Sequence, residues 1–198
     1  MEDPLPTPSR PGWSRRTTRA AAAAVIGALW IAGAAASGSG DDRESPCVNF
    51  GQIGAGLFRG AEPDRRCLRH LAALGVRTVV NLRDEKDASE DEKTEVLALG
   101  MRYASMPMSG FDRPSATGVQ RVLEFIAASG NQPVFLHCKR GRDRTGVIVA
   151  AYRVTNDGWA AEKALLEAED FGLAWWQFRM RRFIRELDAH GDVKEAAQ

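Results

Sequence analysis

His137-Cys138-Lys139-Arg140-Gly141-Arg142-Asp143-Arg144-Thr145-Gly146 sets a cysteine and an arginine on either side of a five-residue loop, and it limits the fold more than any other stretch of the chain. The residues before it, Pro133-Val134-Phe135-Leu136, read as a short buried strand. Those after it, Val147-Ile148-Val149-Ala150-Ala151-Tyr152, read as the start of an apolar helix. A loop so placed ends at a helix N-terminus, where unpaired N–H groups and the positive end of the helix dipole favour an anion.

The residue types say what such a loop can do. A thiol becomes a nucleophile only when ionised, and a helix N-terminus with cationic neighbours lowers its pKa, so Cys138 sits where a thiolate is favoured. The Arg144 guanidinium can hold two oxygens of a phosphoryl group at once, which an ammonium cannot do with the same geometry. Gly141 lets the loop curl with its N–H groups inward. The Thr145 hydroxyl can donate to the sulfur and stabilise it as a leaving group.

This H-C-x5-R-T pattern resembles the signature of the cysteine-dependent protein tyrosine and dual-specificity phosphatase superfamily. Leu57-Phe58-Arg59-Gly60-Ala61-Glu62-Pro63 and Val79-Val80-Asn81-Leu82-Arg83 resemble the early strands of its small atypical members from bacteria, fungi and plants. The resemblance implies an α/β fold, a central mostly parallel twisted sheet flanked by helices. It also implies Cys138 as nucleophile, Arg144 as phosphate clamp, His137 as the residue orienting the loop, and neither metal nor cofactor. A catalytically silent phosphate-binding module is the alternative, against which the intact Cys138 and Arg144 argue.

A phosphate monoesterase also needs an acid for the leaving oxygen. Asp112, in Pro107-Met108-Ser109-Gly110-Phe111-Asp112-Arg113-Pro114, matches the upstream loop aspartate of dual-specificity phosphatases, although the Trp-Pro-Asp triplet of tyrosine-specific enzymes is missing. Asp143 is the second candidate, since Asp-Arg-Thr resembles the loops of myotubularin and Sac-type phosphatases. Asp112 is favoured, because Asp143 can be held as the ion-pair partner of Arg144. Lys139 and Arg142 occupy positions where 3-phosphoinositide phosphatases carry lysines, and Arg140 adds a third charge to the substrate-binding loop. The substrate is therefore a phosphorylated protein, or a phosphoinositide or inositol polyphosphate.

The rest of the chain adds fewer constraints. Lys+Arg 27 against Asp+Glu 26 gives no overall charge that would draw nucleic acid. Three cysteines, Cys47, Cys67 and Cys138, are too few and too scattered for a disulfide scaffold or a zinc site. Residues 1–19 read as a disordered basic N-terminus. Residues 20–40 carry no charge and as a helix would span about 31 Å, which suggests a transmembrane anchor or signal peptide. Arg15, Arg16 and Arg19 before that segment, with Asp41 and Asp42 after it, would place the domain outside the cytoplasm, in the periplasm of a bacterium.

A linker over 41–46, a monomeric catalytic domain over 47–190 and a tail over 191–198 complete the expected organisation. Within the domain, helices are expected over 64–74, 90–99, 115–129, 159–169 and 175–189, with strands over 76–82, 102–106 and 133–137. In the last helix, Trp175, Trp176 and Phe178 are expected to pack in the core, with the arginines snorkelling.

Overall fold

The computed structural model describes residues 45–84 and 90–187. Strands β1 (Gly51–Gly54), β2 (Leu57–Ala61), β3 (Thr78–Asn81), β4 (Arg102–Ser105) and β5 (Val134–Cys138) form one sheet in the order β1-β2-β5-β3-β4. Only the β1–β2 pair is antiparallel. Every residue of β3 and β5 is buried, as expected of central parallel strands covered on both faces.

The pleat sorts these strands between two cores. Val134, Leu136 and Cys138 face the larger cluster, built with α3 (Ala116–Ala127), α4 (Asp143–Thr155), α5 (Ala161–Asp170) and α6 (Phe178–Arg185). Phe135 faces the smaller one, with α1 (Arg65–Ala73) and α2 (Glu90–Ala98). Local signals set the ends of two helices. Asp64 caps α1 by accepting from the Cys67 N–H at 2.7 Å, and Gly75 leaves the helix at φ 80°. Ser115 caps α3 by accepting from the Gly118 N–H.

Because β2, β3, β4 and β5 run parallel, their carboxyl ends meet along one edge. Ala61 pairs with Cys138, and Asn81 with His137. The loops after β3, β4 and β5 leave from this edge, which is where open α/β sheets bind ligands. α4 starts there and runs back through the centre, with Arg144 to Ala151 and Val154 all buried.

Three expectations need correction. The α/β part of the predicted fold is present, but no helix among the described residues is long and apolar enough to cross a membrane. The longest of them, α4, has 13 residues and spans about 20 Å, against the roughly 30 Å of a bilayer core. Residues 20–40 lie outside the described residues, as do 1–19 and 191–198. The anchor or signal segment, the membrane partner and the placement outside the cytoplasm are therefore withdrawn.

Two cysteines do pair. Cys47 and Cys67, 20 residues apart, form a disulfide with a Cα–Cα distance of 4.8 Å. Spacing alone did not suggest it, because the two meet only when the segment before β1 crosses α1. Closing such a loop restricts the unfolded chain by about 3 kcal/mol. Lastly, α6 begins at Phe178 rather than Trp175. Trp175, Trp176 and Phe178 are exposed, while Met180, Phe183 and Ile184 form its buried face.

Candidate active site

Between the end of β5 at Cys138 and the first turn of α4, the chain reverses through Gly141 at φ 67°. A Cβ on Gly141 would lie 2.4 Å from the carbonyl carbon and oxygen of Gly60, so neither the backbone angle nor the packing admits a side chain. Arg142, at the N-cap of α4, supplies no side-chain cap. The first N–H groups of α4 thus remain available to a sulfur or a bound anion.

Cys138 is 3% exposed. Burial pushes its thiol up, but the Thr145 hydroxyl, the Thr145 and Arg140 backbone N–H groups and the Arg144 charge outweigh it and hold the thiol below its ordinary value. Thr145 Oγ1 is fully buried, and its hydroxyl is the largest of the influences that lower the Cys138 thiol. The Arg144 guanidinium is 3.5 Å from the Met108 carbonyl and 3.7 Å from Asp84 Oδ2. His137 is wholly buried, and its Nε2 lies 2.7 Å from Glu92 Oε1 on α2. That contact pins the residue before the cysteine from the opposite face of the sheet.

The two candidate acids occupy different settings. Asp112 is on the loop after β4, accepting from Ser109 Oγ at 2.8 Å and paired with Arg179 at 3.2 Å, with its side chain 69% exposed. The same loop borders the clamp, since Gly110 stands beside the Arg144 guanidinium. Asp143 accepts from the Ala174 N–H at 3.0 Å and so ties the α5–α6 connection to the phosphate loop. It is not the partner of Arg144, a place that Asp84 takes. Of the basic residues, Arg140 and Arg142 line a cavity of about 420 Å3 together with Arg181, Trp175 and Trp176. Lys139 is exposed and lies outside its wall. Arg181 is already paired with Glu169.

A family model described as a DSP-PTPase phosphatase fused to NAD+ kinase matches residues 43–181. The chain belongs to that phosphatase family. This phosphatase is 30% identical to the dual specificity protein phosphatase TpbA of Pseudomonas aeruginosa, over 76% of its own length and 70% of the relative's. It is 25% identical to the inositol diphosphatase DSP5 of Arabidopsis thaliana, over 72% and 71%. The crystal structure of TpbA superposes with a TM-score of 0.63 at 30% identity, covering 73% of this chain and 88% of that one. The catalytic core of the PP-IP phosphatase SIW14 from S. cerevisiae shares the fold at a TM-score of 0.66 and 22% identity, covering 75% and 90%. The chain is accordingly a cysteine-dependent phosphatase of the dual-specificity type, an enzyme rather than a silent phosphate-binding module.

Sequence reading missed several residues around the site: Asn49, Arg59, Asp84 and Glu92. Arg59 carried a signal, being the one charge within Leu57-Phe58-Arg59-Gly60-Ala61, all of which is buried. Nothing local marked the other three.

Proposed function

We propose that this phosphatase cleaves phosphate monoesters through a cysteinyl-phosphate on Cys138, and that its substrate carries phosphates beyond the scissile one, as inositol polyphosphates and phosphoinositides do. The carrying observation is the pair Arg140 and Arg142. Both are exposed beside the phosphate loop, share one cavity wall, and have no carboxylate partner among the described residues. Cationic side chains without internal partners beside an anion cradle suit a second phosphate. The names of the plant relatives as inositol diphosphatases support the same reading.

In the first step, the Cys138 thiolate attacks phosphorus and the bond to the ester oxygen breaks, its electrons leaving with that oxygen. Asp112 supplies the proton the oxygen takes up. Arg144 and the loop N–H groups hold the other three oxygens as charge spreads over them. In the second step, Asp112 accepts a proton from water, the water oxygen bonds to phosphorus, and the S–P bond breaks. Inorganic phosphate leaves and the thiolate returns, eased by the Thr145 hydroxyl. Asp112 suits this role better than Asp143 because it stands on an exposed loop bordering the Arg144 guanidinium, held there by surface contacts alone.

A phosphoprotein substrate is the second reading. It is favoured by the 30% identity to TpbA, a relative whose crystal structure with phosphotyrosine is known. Phosphate release from an inositol polyphosphate and from a phosphotyrosine peptide, measured for the native chain and for Arg140→Ala/Arg142→Ala, separates the two. The double variant should lose about tenfold or more on the polyphosphate and little on the peptide, because a hydrogen bond to a charged group contributes about 1.5–3 kcal/mol. Equal losses on both would favour the phosphoprotein.

A further inference from the structure

One side chain grips the phosphate loop from outside the reacting atoms. Asn49 Nδ2 lies 2.9 Å from the Gly141 carbonyl oxygen, 3.3 Å from that of Arg140 and 3.0 Å from that of Phe171. Arg59 Nη2, from the buried interior of β2, donates to the same Gly141 oxygen at 2.6 Å, with its guanidinium 3.9 Å over the Phe171 ring. A trans peptide carries its N–H opposite its C=O. Donors that draw the Arg140 and Gly141 carbonyls to one side therefore turn the N–H groups of Gly141 and Arg142 to the other, toward the concave face of the loop.

The position of Asn49 is itself fixed. Its backbone adopts φ 53°, in the left-handed region that asparagine tolerates and most residues avoid. On one side, the Val48 carbonyl accepts from the Ala61 N–H at 2.9 Å, at the end of β2. One residue further back on that same side, Cys47 is joined covalently to Cys67 of α1. The amide is thus carried on a short segment fastened at two points, and its N–H groups have carbonyl oxygens of two different loops to serve.

We propose that Asn49 is a positioning residue for the phosphate loop: its amide, located by the Cys47–Cys67 disulfide two residues earlier, orients the peptide planes whose N–H groups receive the phosphoryl oxygens. The proposal rests on the reading of Cys138 as nucleophile. It assigns Asn49 no contact with the substrate. Its influence passes entirely through the Arg140 and Gly141 carbonyls, and the Arg140 N–H, which donates to the Cys138 sulfur, is on a residue whose carbonyl Asn49 holds.

Arg59 is a poor probe, because it is wholly buried and its removal would disturb the sheet. Asn49→Gly is better, since glycine keeps the left-handed backbone and deletes only the amide. Asn49→Asp keeps the shape but sets an acceptor against three carbonyl oxygens. For the full chain and both variants, three quantities are measured: turnover of an aryl phosphate, affinity for inorganic phosphate, and the pH midpoint of Cys138 alkylation by iodoacetamide.

Asn49→Gly should lower kcat/KM about tenfold, weaken phosphate binding by a similar factor and move the alkylation midpoint upward, with Asn49→Asp worse on each. A variant that loses melting temperature yet keeps the native kcat/KM, phosphate affinity and alkylation midpoint would overturn the proposal. If the native chain itself fails to turn over the aryl phosphate, the mechanism in the previous section falls. Phosphate affinity and the alkylation midpoint still decide the role of Asn49 in that case.

Discussion

The phosphate loop and the loop that carries Asp112 border the same guanidinium, and they are built in opposite ways. His137 and Thr145 are wholly buried and Cys138 is 3% exposed, with Gly141 seated against the Gly60 backbone. Phe111, by contrast, is 80% exposed. The loop around it is held by Ser109, by the exposed Arg179 pair and by the Gln177 amide donating to the Gly110 carbonyl. Stabilising charge that develops on phosphorus requires dipoles already in place. Delivering a proton requires only that a carboxylate reach one oxygen, and a loop able to move does that well. On the proposed mechanism, buried structure serves the first task and surface contacts the second.

Substitutions can break or sharpen that contrast. The largest effect belongs to Cys138→Ser, which should reduce turnover to the assay background while phosphate and vanadate still bind, because the loop N–H groups and Arg144 remain. Loss of anion binding together with turnover would mean that the cradle depends on its sulfur. Asp112→Asn should be selective instead. Hydrolysis of an alkyl phosphate should slow about 10²–10⁴-fold, and that of an activated aryl phosphate far less, since only a poor leaving group needs the proton. If Asp143→Asn gives that leaving-group signature, the acid lies in the buried loop and the contrast fails.

Thr145→Ala should have the smallest effect and show mainly in the pH profile. The thiol is held below its ordinary value partly by this hydroxyl, and the thiolate is the reactive form. Removing the donor raises the thiol pKa, so the rise of kcat/KM with pH should move to higher pH. An unmoved acid limb would assign the depression to the backbone donors and Arg144.

The same contrast explains what could be read without coordinates. The proposed phosphate loop is local, with candidate nucleophile, clamp and hydroxyl inside ten consecutive residues, and its flanks announce a buried strand and a helix. α1, α2 and α3 were also legible, since Gly75, Gly100 and the Gly130-Asn131 break mark where they end. β1 was not, because Gly51-Gln52-Ile53-Gly54 buries only Ile53 and shows no apolar alternation.

The start of α6 was misread for a related reason: Trp175 and Trp176 look like core residues but face outward. The outer brace of the loop was invisible. Asn49 and Gly141 are 92 positions apart and Arg59 and Gly141 are 82 apart, and no spacing rule connects residues that only the strand order brings together. The Cys47–Cys67 pair escaped notice in the same way.

That disulfide has a chemical consequence. The chain has three cysteines, and with two of them joined Cys138 is its single thiol. A peroxide that converts Cys138 to a sulfenic acid therefore meets no second thiol in the chain able to trap it as an internal disulfide. A neighbouring backbone nitrogen can shelter it as a sulfenamide, but return to the thiol needs a small-molecule or partner thiol as reductant, before a second oxidation makes the sulfinic acid and the loss permanent.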